Sequence, residues 1–275
     1  METPEVIIGL EKKAKGQART RSRKSDLRKN FNIVRELAIA DFRLKYHDSA
    51  LGYIWSMLNP LLLFAVYYFV FTRIFKSALP HYPLFLLIGI VNYSFFQDCT
   101  FSGMVSLGAK AGLIKKISFP KSLIILASTG TCLLSYLINT VVVLVILFIT
   151  QGFTPLVLLT PLPMLCLLLY SMGLSFLLAT LYAYFRDMGQ IWGVLVLVIF
   201  WLSPVVFGVD TLIGPVSSIV YFNPLTRIFV LVRNYLLYSY FDFRFLITTI
   251  GYSVLSLGIG YAIFRKFQDR FPELF

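Results

Sequence analysis

Six apolar stretches, each close to 20 residues or longer, divide this chain and leave few folds open to it. They run at about 55–75, 83–104, 123–149, 160–184, 190–208 and 244–264. About 20 helical residues cross the hydrocarbon core of a bilayer. Lipid offers no partner to a loose backbone N–H or C=O, so each run is expected as a helix. A membrane barrel would interrupt such runs with a polar residue at every second position, and no such alternation occurs. The expectation is an all-α membrane protein with six transmembrane helices. Hydrophobic residues make up 58% of the chain and charged ones 14%, too little polar side chain to cover a soluble domain of 275 residues.

Positive charge sets the expected orientation. Twelve of the 25 Lys and Arg residues precede Gly52, with Lys12, Lys13, Arg19, Arg21, Arg23, Lys24, Arg28 and Lys29 crowded together. With this tail inside, Lys110, Lys115, Lys116, Lys121, Arg186, Arg265, Lys266 and Arg270 fall on the same side. Only Arg73, Lys76, Arg227, Arg233 and Arg244 fall on the other. Because Lys and Arg accumulate in cytoplasmic loops, both termini are expected in the cytoplasm. Residues 1–31 read as a basic tail drawn to anionic headgroups. No aromatic or motif context supports a nucleic-acid grip. Residues 1–30 hold no apolar run before a small-residue cleavage site, so the tail is expected to stay in the mature protein.

Between the tail and the membrane domain (48–275), residues 32–47 form a separate element. Ile33, Leu37, Ala40 and Leu44 make one narrow apolar stripe at helical spacing, with Arg35, Glu36, Arg43 and Lys45 off it. Such an amphipathic helix is expected to rest in the membrane interface, an ordinary docked helix being the alternative. Segment 209–243 is too apolar for a solvated loop and is broken by Asn223-Pro224. It reads either as a short re-entrant hairpin before the last span or as an external loop; irregular backbone at depth needs protein around it.

Several chemistries are missing. His47 and His81 are the only histidines and lie far apart, which leaves no histidine-based metal site or triad. No G-x-x-x-x-G-K-[ST] run occurs, so the chain lacks a phosphate-cradling loop of its own. Asp98 is the only acid inside the spans, a thin basis for an ion-coupled carrier, and is expected as a hydrogen-bonded packing residue. Cys99, Cys132 and Cys166 all fall in apolar runs and read as buried small residues.

The spans do carry patterned side chains. Phe64, Tyr67, Phe71 and Phe75 share one face of the first span. Aromatic faces pack well on the C–H faces of sugar rings, and a tyrosine hydroxyl exchanges hydrogen bonds with sugar hydroxyls. This stripe is therefore a candidate substrate path, helix packing being the alternative. Ser128, Thr131, Ser135 and Asn139 form a polar seam on the third span, marking a cavity or an interface, and are assigned to the same path. Ser171, Ser175, Ala179 and Ala183 form a small-residue seam on the fourth span, suited to close helix contact.

Short motifs in order carry a resemblance. They are the run from Phe42 to Pro60 (FRLKYHDSALGYIWSMLNP), Gly89 followed by Phe95-Phe96, and Leu113-Ile114-Lys115-Lys116-Ile117-Ser118-Phe119-Pro120. Phe185-Arg186-Asp187, Ser203-Pro204-Val205 and Asn223-Pro224 follow. With them the sequence resembles the ABC-2 permease family of bacterial O-antigen, capsule and teichoic-acid exporters over about residues 32–270. One departure is Asn92-Tyr93, standing where the family's aromatic cluster usually begins with Trp.

The resemblance implies a homodimer of six-span subunits in the bacterial cytoplasmic membrane, with two copies of a separate ATPase subunit docked below. ATP and magnesium would be bound by that partner, and this chain would carry no cofactor. It would move a lipid-linked polysaccharide outward, with Tyr93, Phe95 and Phe96 joining the path. ATPase coupling would fall on Leu113, Ile114, Lys115, Lys116, Phe119 and Pro120, on Ile33, Leu37, Arg43 and Lys45, and on Arg186 and Asp187. Two other functions compete: an ABC-2 exporter of small molecules, and a membrane enzyme acting on polyprenyl-phosphate sugars. The enzyme would want clustered acids for a divalent metal, and Asp41 and Asp48 make a poor cluster.

Overall fold

The computed structural model describes residues 28–45, 52–74, 81–116, 119–152, 154–209 and 220–271, and among them there is no strand. Helix α1 spans 28–45. It is followed by α2 (Trp55–Phe69), α3 (Tyr82–Ala109), α4 (Ala111–Lys116) and α5 (Ser122–Gln151). Then come α6 (Pro161–Tyr184), α7 (Met188–Leu202), α8 (Pro224–Arg233) and α9 (Phe243–Phe267). Among the described residues, five helical stretches are long and apolar enough to cross a membrane: Trp55–Arg73, Tyr82–Ala109, Ser122–Gln151, Pro155–Tyr184 and Phe243–Arg270.

Helix α3 is the central post. Most of its central apolar window is buried (78%), against 11% for the α2 stretch. Its neighbours come close because small residues face one another. A side-chain carbon on Gly103 would collide with Ser175 of α6, and the Ser175 hydroxyl donates to the Cys99 carbonyl at 3.0 Å. Ser171, Ser175, Ala179 and Ala183 are all buried, as their spacing predicts for an interface. On the other side of α6, Gly173 meets Gly260 of α9 backbone to backbone, with no room for a Cβ on either.

Helix α2 contains Pro60 in its second turn. Proline has no N–H, so the carbonyl four residues earlier, on Ser56, loses its helical donor. Asn139 of α5 fills the vacancy, donating from Nδ2 to the Ser56 carbonyl at 3.0 Å. The costly amide of the third-span seam is thereby matched to a carbonyl that a proline exposed.

The expected fifth span at 190–208 is not one continuous helix: α7 stops at Leu202, after 15 residues. That is about 22 Å of helix, short of the roughly 30 Å hydrocarbon core. Ser203 takes an extended conformation (φ −108°, ψ 144°), as expected before a proline. The strap that follows is nonetheless buried, with Ser203, Val205 and Val206 at most 2% exposed.

Its carbonyls need donors, and two side chains supply them. Arg233 donates to Pro204 (2.5 Å) and Val205 (2.9 Å), and the Tyr82 hydroxyl donates to Val206 at 3.1 Å. Arg233 also reaches the Phe85 carbonyl of α3 at 3.1 Å. Gly89 makes the approach possible, because a Cβ there would stand 2.5 Å from an Arg233 nitrogen and 2.6 Å from the Val205 oxygen. Arg233, expected from sequence toward the far side, is 2% exposed.

Of segment 209–243, residues 210–219 lie outside the described residues. Within the rest, α8 runs on into a π-helical turn, Asn234–Tyr238, and 239–242 are non-helical. Leu225, Ile228, Phe229, Leu231 and Val232 are buried against the bundle. The Asn223 side chain caps α8 by accepting from the Leu225 N–H at 3.0 Å and donates to the Ser203 hydroxyl at 3.0 Å. Two motifs read separately in the sequence, Ser203-Pro204 and Asn223-Pro224, therefore touch.

Candidate functional site

One end of the bundle carries the basic residues. The last turn of α3, short α4, the start of α5 and the ends of α6 and α9 meet there. Leu107, Ile114, Ile124, Ile125, Phe176, Ala183, Phe264 and Phe271 form a small apolar core between them, with Phe119 packed on it. Within the expected coupling segment, Ile114 is buried and Lys115, Lys116 and Pro120 point outward. Arg186 and Asp187, in the turn between α6 and α7, are exposed at the same end. Lys121 donates to the Gln268 carbonyl at 2.5 Å, tying α5 to the C-terminal turn. Burial holds the Lys121 ammonium below its ordinary pKa, and Asp269 works against that shift.

Helix α1 packs against this end through a different face from the one its apolar pattern suggests. Ala38 is buried, beside Gly130, and its carbonyl accepts from the Thr131 hydroxyl at 3.1 Å. Asp41 pairs with Lys110 at the end of α3, and Lys45 pairs with Asp98 at 3.6 Å. Ile33 and Leu37 are half-buried, whereas Ala40 and Leu44 are exposed, Leu44 by 74%. At 100° per residue the docked face lies about a quarter turn from the apolar stripe. The polar residues make the contacts with the bundle and the stripe is left partly bare. Arg43 is exposed as well.

Above α1, a cavity of about 450 Å³ opens between α2, α3 and α5. Trp55, Asn59, Ser94, Phe95, Gln97, Asp98, Ser135, Tyr136 and Asn139 contribute to its wall. Asp98, expected as a packing residue, faces this space instead, its side chain 51% exposed and paired with Lys45. Phe95 stacks on Tyr136 with ring centroids 4.4 Å apart, and the Tyr136 hydroxyl donates to Asn92 at 2.6 Å. Asn92 is thereby buried as a link between α3 and α5.

The expected path residues divide among three environments. Ser135, Asn139 and Phe95 line the cavity just described. Tyr67 and Tyr93 border a second cavity of about 430 Å³ between α2, α3 and α7. There Tyr67 stacks on Phe200 at 5.5 Å, and the Tyr93 hydroxyl donates to the Val196 carbonyl. Phe64 and Phe71 pack half-buried against the main core. Phe96 is fully buried among Tyr170 and Trp192. Thr131 meets α1 and Ser128 is buried on the same helix; Phe75 lies outside the described residues. Polarity and an adjacent Asn-Pro step marked Asn59, Gln97 and Ser94 in the sequence, but nothing there said that they face one space. Among the described residues, no three His, Cys, Asp or Glu side chains stand close enough to share a metal ion.

The arrangement offers a bundle with a basic end and polar cavities at membrane depth, which suits transport. Named relatives align with most of the chain. The chain is 28% identical over 247 residues to an O-antigen export system permease protein of Klebsiella pneumoniae, covering 89% of this chain and 95% of that one. It is 25% identical over 249 residues to an O-antigen export system permease protein of Myxococcus xanthus, with 88% and 94% covered. A polysialic acid transport protein of Escherichia coli is 21% identical over 245 residues, with 86% and 93% covered. The family model for ABC-2 type transporters matches residues 34–237, from α1 through α8 and most of its π-helical turn. The chain belongs to the ABC-2 type transporter family.

Proposed function

We infer that this protein is the membrane-spanning subunit of an ATP-driven exporter that moves a lipid-linked cell-surface polysaccharide, of O-antigen or capsule type, outward across the bacterial cytoplasmic membrane. The observation that carries this reading is the match to an O-antigen export permease over 89% of this chain and 95% of that one. A permease of this family with no phosphate-binding loop borrows its energy, so two copies of an ABC ATPase dock at the basic end, binding ATP and magnesium themselves. Two copies of this chain complete the channel. The concentration of Lys and Arg at that end supports placing it, with both termini, in the cytoplasm.

In this reading α7, extended by its buried strap, makes the sixth crossing. The strap's carbonyls are satisfied within the protein, the condition for non-helical backbone at depth. Helix α1 then lies in the inner interface with its bare apolar stripe toward lipid, and α8 with its π-helical turn forms a hairpin re-entering the outer leaflet. Coupling runs through α4 and its neighbours: Ile114 anchors the segment while Lys115 and Lys116 face the ATPase. Tyr67, Tyr93 and Phe95, with Ser135 and Asn139, present aromatic and polar groups to the substrate.

The test is genetic and biochemical. Deleting the gene should abolish the surface polymer and leave the lipid-linked polymer inside the cell, and co-expression with the partner ATPase should restore export. Unaltered surface polymer after deletion would overturn the reading.

A further inference from the structure

The cavity between α2, α3 and α5 gathers polar and aromatic side chains from three helices. Asn59, Ser94 and Gln97 face it, and their side chains make no hydrogen bond among the described residues. Ser135 is more than nine-tenths buried at its wall, and its hydroxyl has no partner. A buried hydroxyl without a partner costs free energy unless something in the cavity meets it. Amides and hydroxyls present donors and acceptors side by side, which matches the double character of a sugar hydroxyl. Trp55 and the stacked Phe95 and Tyr136 add aromatic rings of the kind that pack against C–H faces.

Charge narrows the ligand. Asp98 is the one carboxylate in the described wall, and Lys45 stands 3.6 Å from it. The pair leaves the wall without net charge, which favours an uncharged ring over a uronate or a phosphate. The volume of about 450 Å³ lies within the roughly 300–1,000 Å³ usual for small-molecule sites. A groove beside the far end of α5, lined by Val141, Leu144, Val145, Phe148 and Val157, carries no polar side chain. A hydrocarbon chain would go there and not here.

We propose that the α2–α3–α5 cavity is a binding pocket for neutral sugar rings, held within each single subunit. Asn59, Gln97 and Ser135 hydrogen-bond the ring hydroxyls, and Trp55 and Phe95 provide the apolar faces. The proposal deepens the export reading and rests on it for the presence of a glycan. Because Asp98 is tied to Lys45 of α1, an occupant of this pocket touches the same ion pair that docks the first helix.

The test is saturation-transfer NMR on the full chain in nanodiscs, with empty nanodiscs as blank. The probes are methyl α-mannoside, methyl β-galactoside, N-acetylglucosamine and glucuronate. At least one neutral sugar should receive transfer at its ring protons, more strongly than glucuronate does. Replacing Asn59→Leu and Gln97→Leu together should cut that signal about tenfold, roughly the loss of one to two hydrogen bonds. Gln190→Leu at the basic end should leave it unchanged. Ser135→Val, which satisfies the orphan position by removing the hydroxyl, should weaken sugar binding without lowering thermal stability. No transfer from any neutral sugar, equal transfer in the double variant, or a stronger response to glucuronate would each overturn the pocket. Glycan export that persists while sugar transfer is absent overturns this proposal alone; sugar transfer in a protein whose deletion spares the surface polymer overturns the export reading alone.

Discussion

The guanidinium carbon of Arg233 stands 3.4 Å from the ring centroid of Phe85. The arginine is thus sandwiched between an aromatic face and three backbone carbonyls, those of Phe85, Pro204 and Val205. A planar fork with five donors is the side chain suited to gather several carbonyls at once. Replacing Arg233→Met should strand those carbonyls in an apolar setting and lower stability by about 3 kcal/mol. Arg233→Lys, a single point of donors, should recover only part of the loss. Thermal unfolding of the detergent-purified protein measures both. A methionine variant as stable as the parent would show that the strap has other donors.

Glycine contacts give a paired prediction. Gly260→Ala drives a methyl into the Gly173 carbonyl, and overpacking of that kind costs about 1–3 kcal/mol or more. Gly112→Ala meets nothing within 4 Å on α4 and should be neutral or stabilising by up to about 1 kcal/mol through helix propensity. Comparing the two midpoints separates close packing from a general intolerance of alanine.

The Asp41 and Lys110 pair should behave as a charge pair that can be inverted. Its side chains are 28% and 16% exposed, so burial spares it much of the screening that weakens surface pairs. Asp41→Lys or Lys110→Asp alone places like charges together and should destabilise the docked α1 by about 2 kcal/mol. The double exchange should restore most of this, read by a cysteine crosslink between α1 and α5. No recovery in the double variant would mean that packing at Ala38, and not charge, holds the helix.

Lys115→Glu combined with Lys116→Glu should abolish polymer export while the protein remains inserted and folded. Both side chains point away from the core, so little stability is at stake. Surface polymer by immunoblot and membrane abundance by quantitative blot check the two halves. Export at the parental level would remove the coupling role.

Much of the bundle was legible in the sequence because α3, α5, α6 and α9 are apolar over more than a membrane thickness, and length alone distinguishes them. The early end of α7 was written in Ser203-Pro204, a pair read for resemblance and not for its effect on backbone. Helix α1 was legible as a helix, but its docked face was not. Asp41 and Lys110 are 69 positions apart, and periodicity carries no information about such a partner. The partners of Arg233 are hidden for a similar reason: the carbonyls it serves lie 28, 29 and 148 positions away. Of the cavity, Ser135 and Asn139 announced themselves by their cost in lipid, while Asn59 and Gln97 needed the packing of three helices to become neighbours.

Gly173 and Gly260 touch with nothing between their chains. With no side chain between them, α6 and α9 have no rotamer to rearrange at this crossing, and on its other side α6 is tied to α3 through Ser175 and Gly103.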